Sequence, residues 1–156
     1  MDITLLAVGK LRPSFRAAAD DYLRRLRRFT PVRERELKES GRAKTPLLER
    51  RAEGERILAA IPERALVIAL TRLGRAWTSR ELSLRFDEWR SAGRPVCLLI
   101  GGSSGLDDRA LATAAVRWSL GPLTLPHELA RVVVLEQLYR ASTILRGEKY
   151  HKGGPG

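Results

Sequence analysis

The chain holds a single cysteine, Cys97, and two histidines, His127 and His151, in 156 residues. One thiol closes no disulfide within the chain, and its place inside an apolar run reads as a small buried hydrophobe rather than a nucleophile. Histidines this far apart, with no cysteine or acidic cluster at ligand spacing, do not make a metal site. No Ser-His-Asp or Cys-His arrangement stands out either. No apolar stretch approaches the length of a membrane-crossing helix. The opening MDITLLAVGKL is too short in its apolar part for a signal peptide and begins with an acid, so a cytoplasmic location is expected. The GxGxxG pattern that binds dinucleotides after a first strand is missing: Gly9-Lys10 does not supply it, and the later glycine cluster lacks the P-loop lysine. Repeats and low-complexity tracts are absent too. A chain of 156 residues fits one domain, 1–156, burying roughly two-thirds of its unfolded surface.

Acidic residues are in short supply. Against 29 lysines and arginines stand 18 acids, a formal net charge of +11 with a pI near 10.9. An excess of that size fits an acidic partner, nucleic acid first of all. That 24 of the 29 are arginine and that asparagine is absent is a skew that codon bias in a GC-rich genome would produce by itself. Such bias does not explain why bases outnumber acids.

What is present is a regular alternation of short apolar runs and helical patterns. Ile3 to Val8, closed by Gly9, predicts a strand buried on both faces. Pro13-Ser14 opens a helix with Ser14 as N-cap, Phe15, Ala18, Tyr22, Leu23 and Leu26 facing inward. Arg24, Arg25, Arg27 and Arg28 lie opposite, as an RNA-contacting patch or a solvated face. Val32 to Leu37 is a weak, polar edge strand. The basic stretch Ser40 to Thr45 is a phosphate-meeting loop or a solvated linker, and Thr45-Pro46 starts a helix that Pro62 ends. Ala65 to Leu70 is a strand with Thr71 to Arg75 as its exit loop. Thr78 to Glu81 is a capping box before a helix that turns Leu82, Phe86 and Trp89 inward and stops at Gly93. Val96 to Ile100 is another buried strand, and Asp107 caps a small-residue helix. Strand and helix alternate five times, which predicts an α/β fold with a parallel sheet between helices.

Two loops stand out. Val96 to Ile100 ends in Gly101-Gly102-Ser103-Ser104-Gly105, where glycine lets a backbone come close to whatever it faces. A short strand at Trp118 leads into Gly121-Pro122-Leu123-Thr124-Leu125-Pro126, and a helix from Glu128 to Leu145 follows. In an open α/β sheet both loops fall at the carboxyl edge, where ligands bind, so they form opposite walls of one pocket with Leu70 beside them. A pocket of backbone donors, acceptors and aliphatic side chains suits an adenosine cofactor; a glycine-rich turn without a ligand is the plainer alternative. The last helix is apolar on two sides and needs two partners, which predicts a homodimer.

The motifs LLIGGSSGL, SLGPLTLPHELARVVVLEQLYRA and RGEKYHK, together with ITLLAVGKL and EGERIL, resemble the ribosomal RNA large-subunit methyltransferase H family. This is the pseudouridine N3-methyltransferase branch of the SPOUT class, and the resemblance spans almost the whole chain. It implies a SPOUT-type fold with a carboxyl-terminal deep trefoil knot, S-adenosyl-L-methionine as cofactor, and methylation of N3 of a pseudouridine in 23S ribosomal RNA on the assembled ribosome. Carried over position by position, the cofactor contacts are Leu70, Gly102, Gly121, Pro122, Leu123, Thr124, Leu125 and Pro126. Arg140, Tyr150 and His151 match positions that hold the target base, in a tail expected to be flexible from about residue 150. No general base is assigned. Ser103-Ser104 stand where many relatives have an acidic or aromatic residue, and Thr71 where many have aspartate. Two rival readings are a non-catalytic ribosome- or RNA-binding protein and a SPOUT transfer-RNA methyltransferase; small size and the lack of an appended RNA-binding domain speak against the latter.

Overall fold

Strand and helix follow one another in strict turn: β1 (Ile3–Val8), α1 (Pro13–Leu26), β2 (Val32–Leu37), α2 (Pro46–Ala60), β3 (Leu66–Ala76), α3 (Ser79–Ser91), β4 (Val96–Ile100), α4 (Asp108–Ala112), β5 (Val116–Ser119) and α5 (His127–Leu145). The computed structural model describes residues 1–41 and 45–152. A helix between each pair of strands lets all of them run the same way. The sheet has the order β2-β1-β4-β3-β5 and every pairing is parallel. The polar β2 takes one edge, as its composition predicts.

Alternate residues of each strand point to opposite faces, and the apolar runs fill both. Ile3, Leu5, Ala7, Ile68, Leu98 and Ile100 pack with α1, α3 and α5. Leu6, Val8, Val67, Ala69, Cys97 and Leu99 pack with Ile57 of α2 and Ala110 of α4. Cys97 is fully buried, and burial pushes its thiol up to about 12, which leaves no thiolate for nucleophilic work. Trp89 is core, with Trp77 between it and Trp118 at ring separations of 6.3 and 6.2 Å.

Two of the expected caps form. Thr45 Oγ1 accepts from Leu48 N; Thr78 and Glu81 exchange both bonds of the capping box, at 3.1 and 2.7 Å. Ser14 is not a cap. The helix begins one residue earlier, at Pro13, whose ring presets the helical φ, and Arg12 takes the N-cap without a side-chain bond. Asp107 occupies the N-cap of α4 but its carboxylate turns to Arg109 Nε at 2.9 Å. Nor is Thr71 to Arg75 an exit loop. β3 continues to Ala76 because β5 pairs with it on both sides of a register shift between Leu70 and Arg75. Gly74 permits that approach: a Cβ there would lie 2.6 Å from the Arg117 carbonyl carbon.

α5 lies between α1 and α3 and packs on both, so the two flanks that predict a second copy are covered within the chain. In its second turn Arg131 is fully buried. Its Nη1 donates to Glu36 at 2.5 Å and Glu34 at 3.1 Å, and Nη2 to Gly9 O at 2.8 Å. Arg16 of α1 reaches the same two carboxylates, at 2.6 Å and 3.0 Å. The alternation of Glu34 and Glu36 along β2 places both on the face that α1 and α5 cover. Among the described residues no helix is long and apolar enough to cross a membrane.

Candidate functional site

The middle of β3, at Leu70 to Arg72, and the carboxyl ends of β4 and β5 surround a cavity of about 380 Å³. The first wall is the glycine loop. A Cβ on Gly101 would sit 2.6 Å from the Gly105 carbonyl carbon, so no other residue lets the loop fold back this tightly. Gly105 N donates to Gly102 O at 3.0 Å and closes the turn. From outside, α2 clasps it: Arg50 Nη1 donates to Ser104 O at 3.3 Å, and Ser104 Oγ to Glu49 at 2.9 Å. Behind it Glu53 is buried, 2 % exposed. One oxygen accepts from Ser40 N at 3.1 Å. The other faces Gly102, 3.4 Å from where a Cβ would stand, and has no partner among the described residues. Burial, with Glu49 and Glu39 nearby, pushes this carboxyl upward.

The second wall follows β5. Gly121 N donates to Ser119 Oγ at 3.1 Å, and that hydroxyl donates to Gly121 O at 3.2 Å, which fixes the turn. Gly105 and Gly121 have φ of +83° and +114°, and nothing stands within 4 Å of either missing Cβ. Both line the cavity.

Of the residues carried over as cofactor contacts, Leu70, Gly102, Gly121, Leu123 and Leu125 line this cavity. Pro122, Thr124 and Pro126 belong to the same loop but are exposed and stand outside its wall; Pro126 is the N-cap of α5. The cavity also takes in Arg50, Arg72, Asp108 and His127, which sequence reading gave no part. Arg72 follows Leu70 by two residues on β3, a signal that reading Thr71 to Arg75 as a loop obscured. His127 Nε2 is 3.8 Å from Glu39.

Arg140, Tyr150 and His151 meet elsewhere. Arg140 Nη1 lies 3.0 Å from His151 Nδ1 and its guanidinium lies 4.7 Å above the Tyr150 ring. The residue that joins them is Glu136, one helical turn before Arg140, which takes Arg140 Nη2 at 2.6 Å and the Tyr150 hydroxyl at 3.2 Å. Its i, i+4 spacing to Arg140 was the available signal. Burial, with the neighbouring Tyr22 and Glu136, pushes the Tyr150 phenol upward. Tyr150 and His151, at the start of the stretch expected to be a flexible tail, are half-buried. Ala130 lines the cavity and Arg140 is ten residues on along α5, about 15 Å down the axis.

The basic features divide. On α1, Arg24 and Arg25 pair with Asp21 at 2.5 and 3.2 Å, and just past its end Arg27 Nε donates to Val32 O at 2.9 Å. In the basic loop from Ser40 to Thr45, positions 42–44 lie outside the described residues. Among the described residues no group of three His, Cys, Asp or Glu could hold a metal ion.

A family model described as "Predicted SPOUT methyltransferase" matches residues 1–151. A protein of Thioalkalivibrio sulfidiphilus named ribosomal RNA large subunit methyltransferase H is 44% identical over 155 residues, 97% of this chain and 99% of its own. A protein of the same name from Nitratidesulfovibrio vulgaris is 45% identical over 151 residues, 96% of this chain and 97% of its own. Among solved structures, a methylase family protein from Neisseria gonorrhoeae aligns with a TM-score of 0.58 at 13% identity, covering 99% of this chain and 88% of that one. Another from Haemophilus influenzae aligns at 0.52 with 15% identity, covering 99% and 71%. At these identities the structural likeness concerns the fold alone.

Proposed function

The chain belongs to the SPOUT methyltransferase family, and from that premise we propose that it methylates N3 of a pseudouridine in large-subunit ribosomal RNA with S-adenosylmethionine as methyl donor. The observation that carries this reading is the cavity between the two glycine loops, because five of the residues matched to cofactor contacts converge on it from three different strands and the loops that follow two of them. Its 380 Å³ falls within the roughly 300–1,000 Å³ of small-molecule sites. The lining suits the cofactor: Leu70, Ile100, Leu106, Leu120 and Leu125 give an apolar bed. Gly105 and Gly121 leave space where side chains would project. These residues would hold the cofactor, whose chemistry there is an electrophilic methyl group on a sulfonium sulfur.

The protein is left with alignment of N3 on the methyl carbon and with stabilising the charge that develops as N3 loses its proton. No covalent side chain is needed. Arg140, Tyr150 and His151 hold the target base. Arg140 stands about 15 Å along α5 from the cavity wall, with Tyr150 and His151 gathered on it, so we assign the three to the cavity of a second copy in a homodimer. The outer surface of α5 would then meet the partner, its flanks being already covered. The trefoil knot of the class and action on the assembled ribosome complete the reading, and the net charge of +11 supplies attraction to the ribosomal phosphates.

Calorimetric titration with S-adenosylhomocysteine tests the cofactor half of this proposal. Micromolar or tighter binding is expected, lost in Gly101→Val. RNA binding without any cofactor heat would point to the non-catalytic rival.

A further inference from the structure

The side chains at the end of α5 form one hydrogen-bonded chain, and an arginine sets its direction. A guanidinium carries donors only. Arg140 Nη1 lies 3.0 Å from His151 Nδ1, so Nδ1 must offer its lone pair, and in the neutral ring the proton is on Nε2. Arg140 is not free to turn away, because its Nε and Nη2 both donate to Glu136 Oε1, at 2.8 and 2.6 Å. The same oxygen accepts the Tyr150 hydroxyl at 3.2 Å, and Glu136 Oε2 accepts from Gln137 at 2.7 Å. Tyr150 is held from both sides, by the guanidinium at 4.7 Å and by the Tyr139 ring at 4.7 Å. Both oxygens of Glu136 are engaged within the cluster, and the single lone pair of His151 Nδ1 is taken by Arg140. What remains is a donor: His151 Nε2, buried and without a partner among the described residues. A buried donor left unpaired is costly unless something arrives to accept from it.

We propose that His151 donates a hydrogen bond from Nε2 to a carbonyl oxygen flanking N3 of the target pyrimidine, its tautomer fixed by the Glu136–Arg140 pair, and that it does not take the N3 proton. This rests on the reading of the chain as a pseudouridine N3-methyltransferase. As N3 gives its proton to solvent water, the electron pair stays on the ring and its negative charge spreads over the two flanking carbonyl oxygens. N3 then bonds the methyl carbon while the carbon–sulfur bond breaks and its pair returns to sulfur, leaving a neutral thioether. A fixed donor at one carbonyl stabilises the charge as it develops. Glu136 is a positioning residue: it touches no substrate and acts through Arg140.

Nitrogen-15 NMR of the imidazoles in the full-length protein reads the tautomer without any reaction, with His127 as the second ring. At a pH where the rings are neutral, His151 should show a proton-bearing Nε2 and a bare Nδ1, and Arg140→Ala should turn this into a mixture. Methyl transfer to ribosomes supplies the second readout, on variants first checked for undiminished S-adenosylhomocysteine affinity. His151→Ala should lose at least a hundredfold. His151→Gln, whose amide reaches the Nε2 position as a donor, should recover tenfold or more of that loss, and His151→Asn, whose amide stops at Nδ1, should not. A proton on Nδ1, or Gln as slow as Ala, overturns the donor assignment. A protein with the expected tautomer that places its methyl elsewhere overturns the substrate reading instead.

Discussion

At Gly101 a single methyl group decides whether the first wall of the cavity forms. Its Cβ would stand 2.6 Å from the Gly105 carbonyl carbon, and backbone cannot swing aside as a side-chain tip can. Gly101→Ala is expected to cost about 1–3 kcal/mol as an overpacking change and to weaken S-adenosylhomocysteine binding tenfold or more. Thermal melting and calorimetry measure the two effects separately. Glu53 gives a prediction of opposite sign. Its carboxyl is raised by burial, so ionising it at neutral pH opposes folding; that cost is absent below the ordinary glutamate value of about 4.3 and grows as pH rises through the folded-state value. Glu53→Gln keeps an acceptor for Ser40 N–H and should melt a few degrees above the parent at pH 7, with the gap closing as pH falls toward 4. A gap that widens on acidification contradicts this assignment.

Among the elements, the strands were the most legible part of the sequence. Ile3 to Val8, Val32 to Leu37 and Val96 to Ile100 fall where their apolar or alternating runs place them, because burial on a pleated sheet leaves a local pattern. β3 was read short for the converse reason. Thr71-Arg72-Leu73-Gly74-Arg75 carries loop chemistry, and its extended pairing is imposed by β5, some forty residues away in sequence. The same distance hid Arg131. On a helix that also carries Glu128, Glu136 and Arg140, Arg131 has no local mark of burial, and only the return of α5 across β1 and β2 brings it to Glu34 and Glu36. In the cavity, the two glycine loops and Leu70 were visible from sequence, whereas Arg50, and Glu53 behind the first loop, come from α2, whose approach no local signal announces. Because Arg131 is the buried cation that holds two carboxylates and the Gly9 carbonyl, Arg131→Ala should destabilise by about 3–5 kcal/mol. Chemical denaturation measures this; a loss under 1 kcal/mol would mean that Arg16 alone suffices for both acids.

At the scale of the whole molecule, charge and pairing are the open levers. An excess of 29 basic over 18 acidic residues makes ribosome affinity fall with salt through counterion release. The KM for ribosomes should rise steeply between 50 and 200 mM salt, on the order of tens of fold for about three phosphate contacts, while cofactor affinity stays flat. The distance of about 15 Å along α5 between the cavity and the Arg140 cluster makes a second prediction. A Gly101→Val chain and a His151→Ala chain, each inactive alone, should recover up to about a quarter of wild-type activity when mixed and allowed to exchange, because one mixed dimer keeps one intact cavity facing one intact tail. No recovery would place the whole site within one chain. The most direct measurement is transfer of labelled methyl from S-adenosylmethionine to ribosomes that lack the modification, with separated subunits and naked ribosomal RNA alongside, followed by digestion to nucleosides. Label in a single N3-methylpseudouridine, strongest on assembled ribosomes, is the expected result. Tight cofactor binding with no label in any ribosomal sample would contradict it and turn attention to transfer RNA.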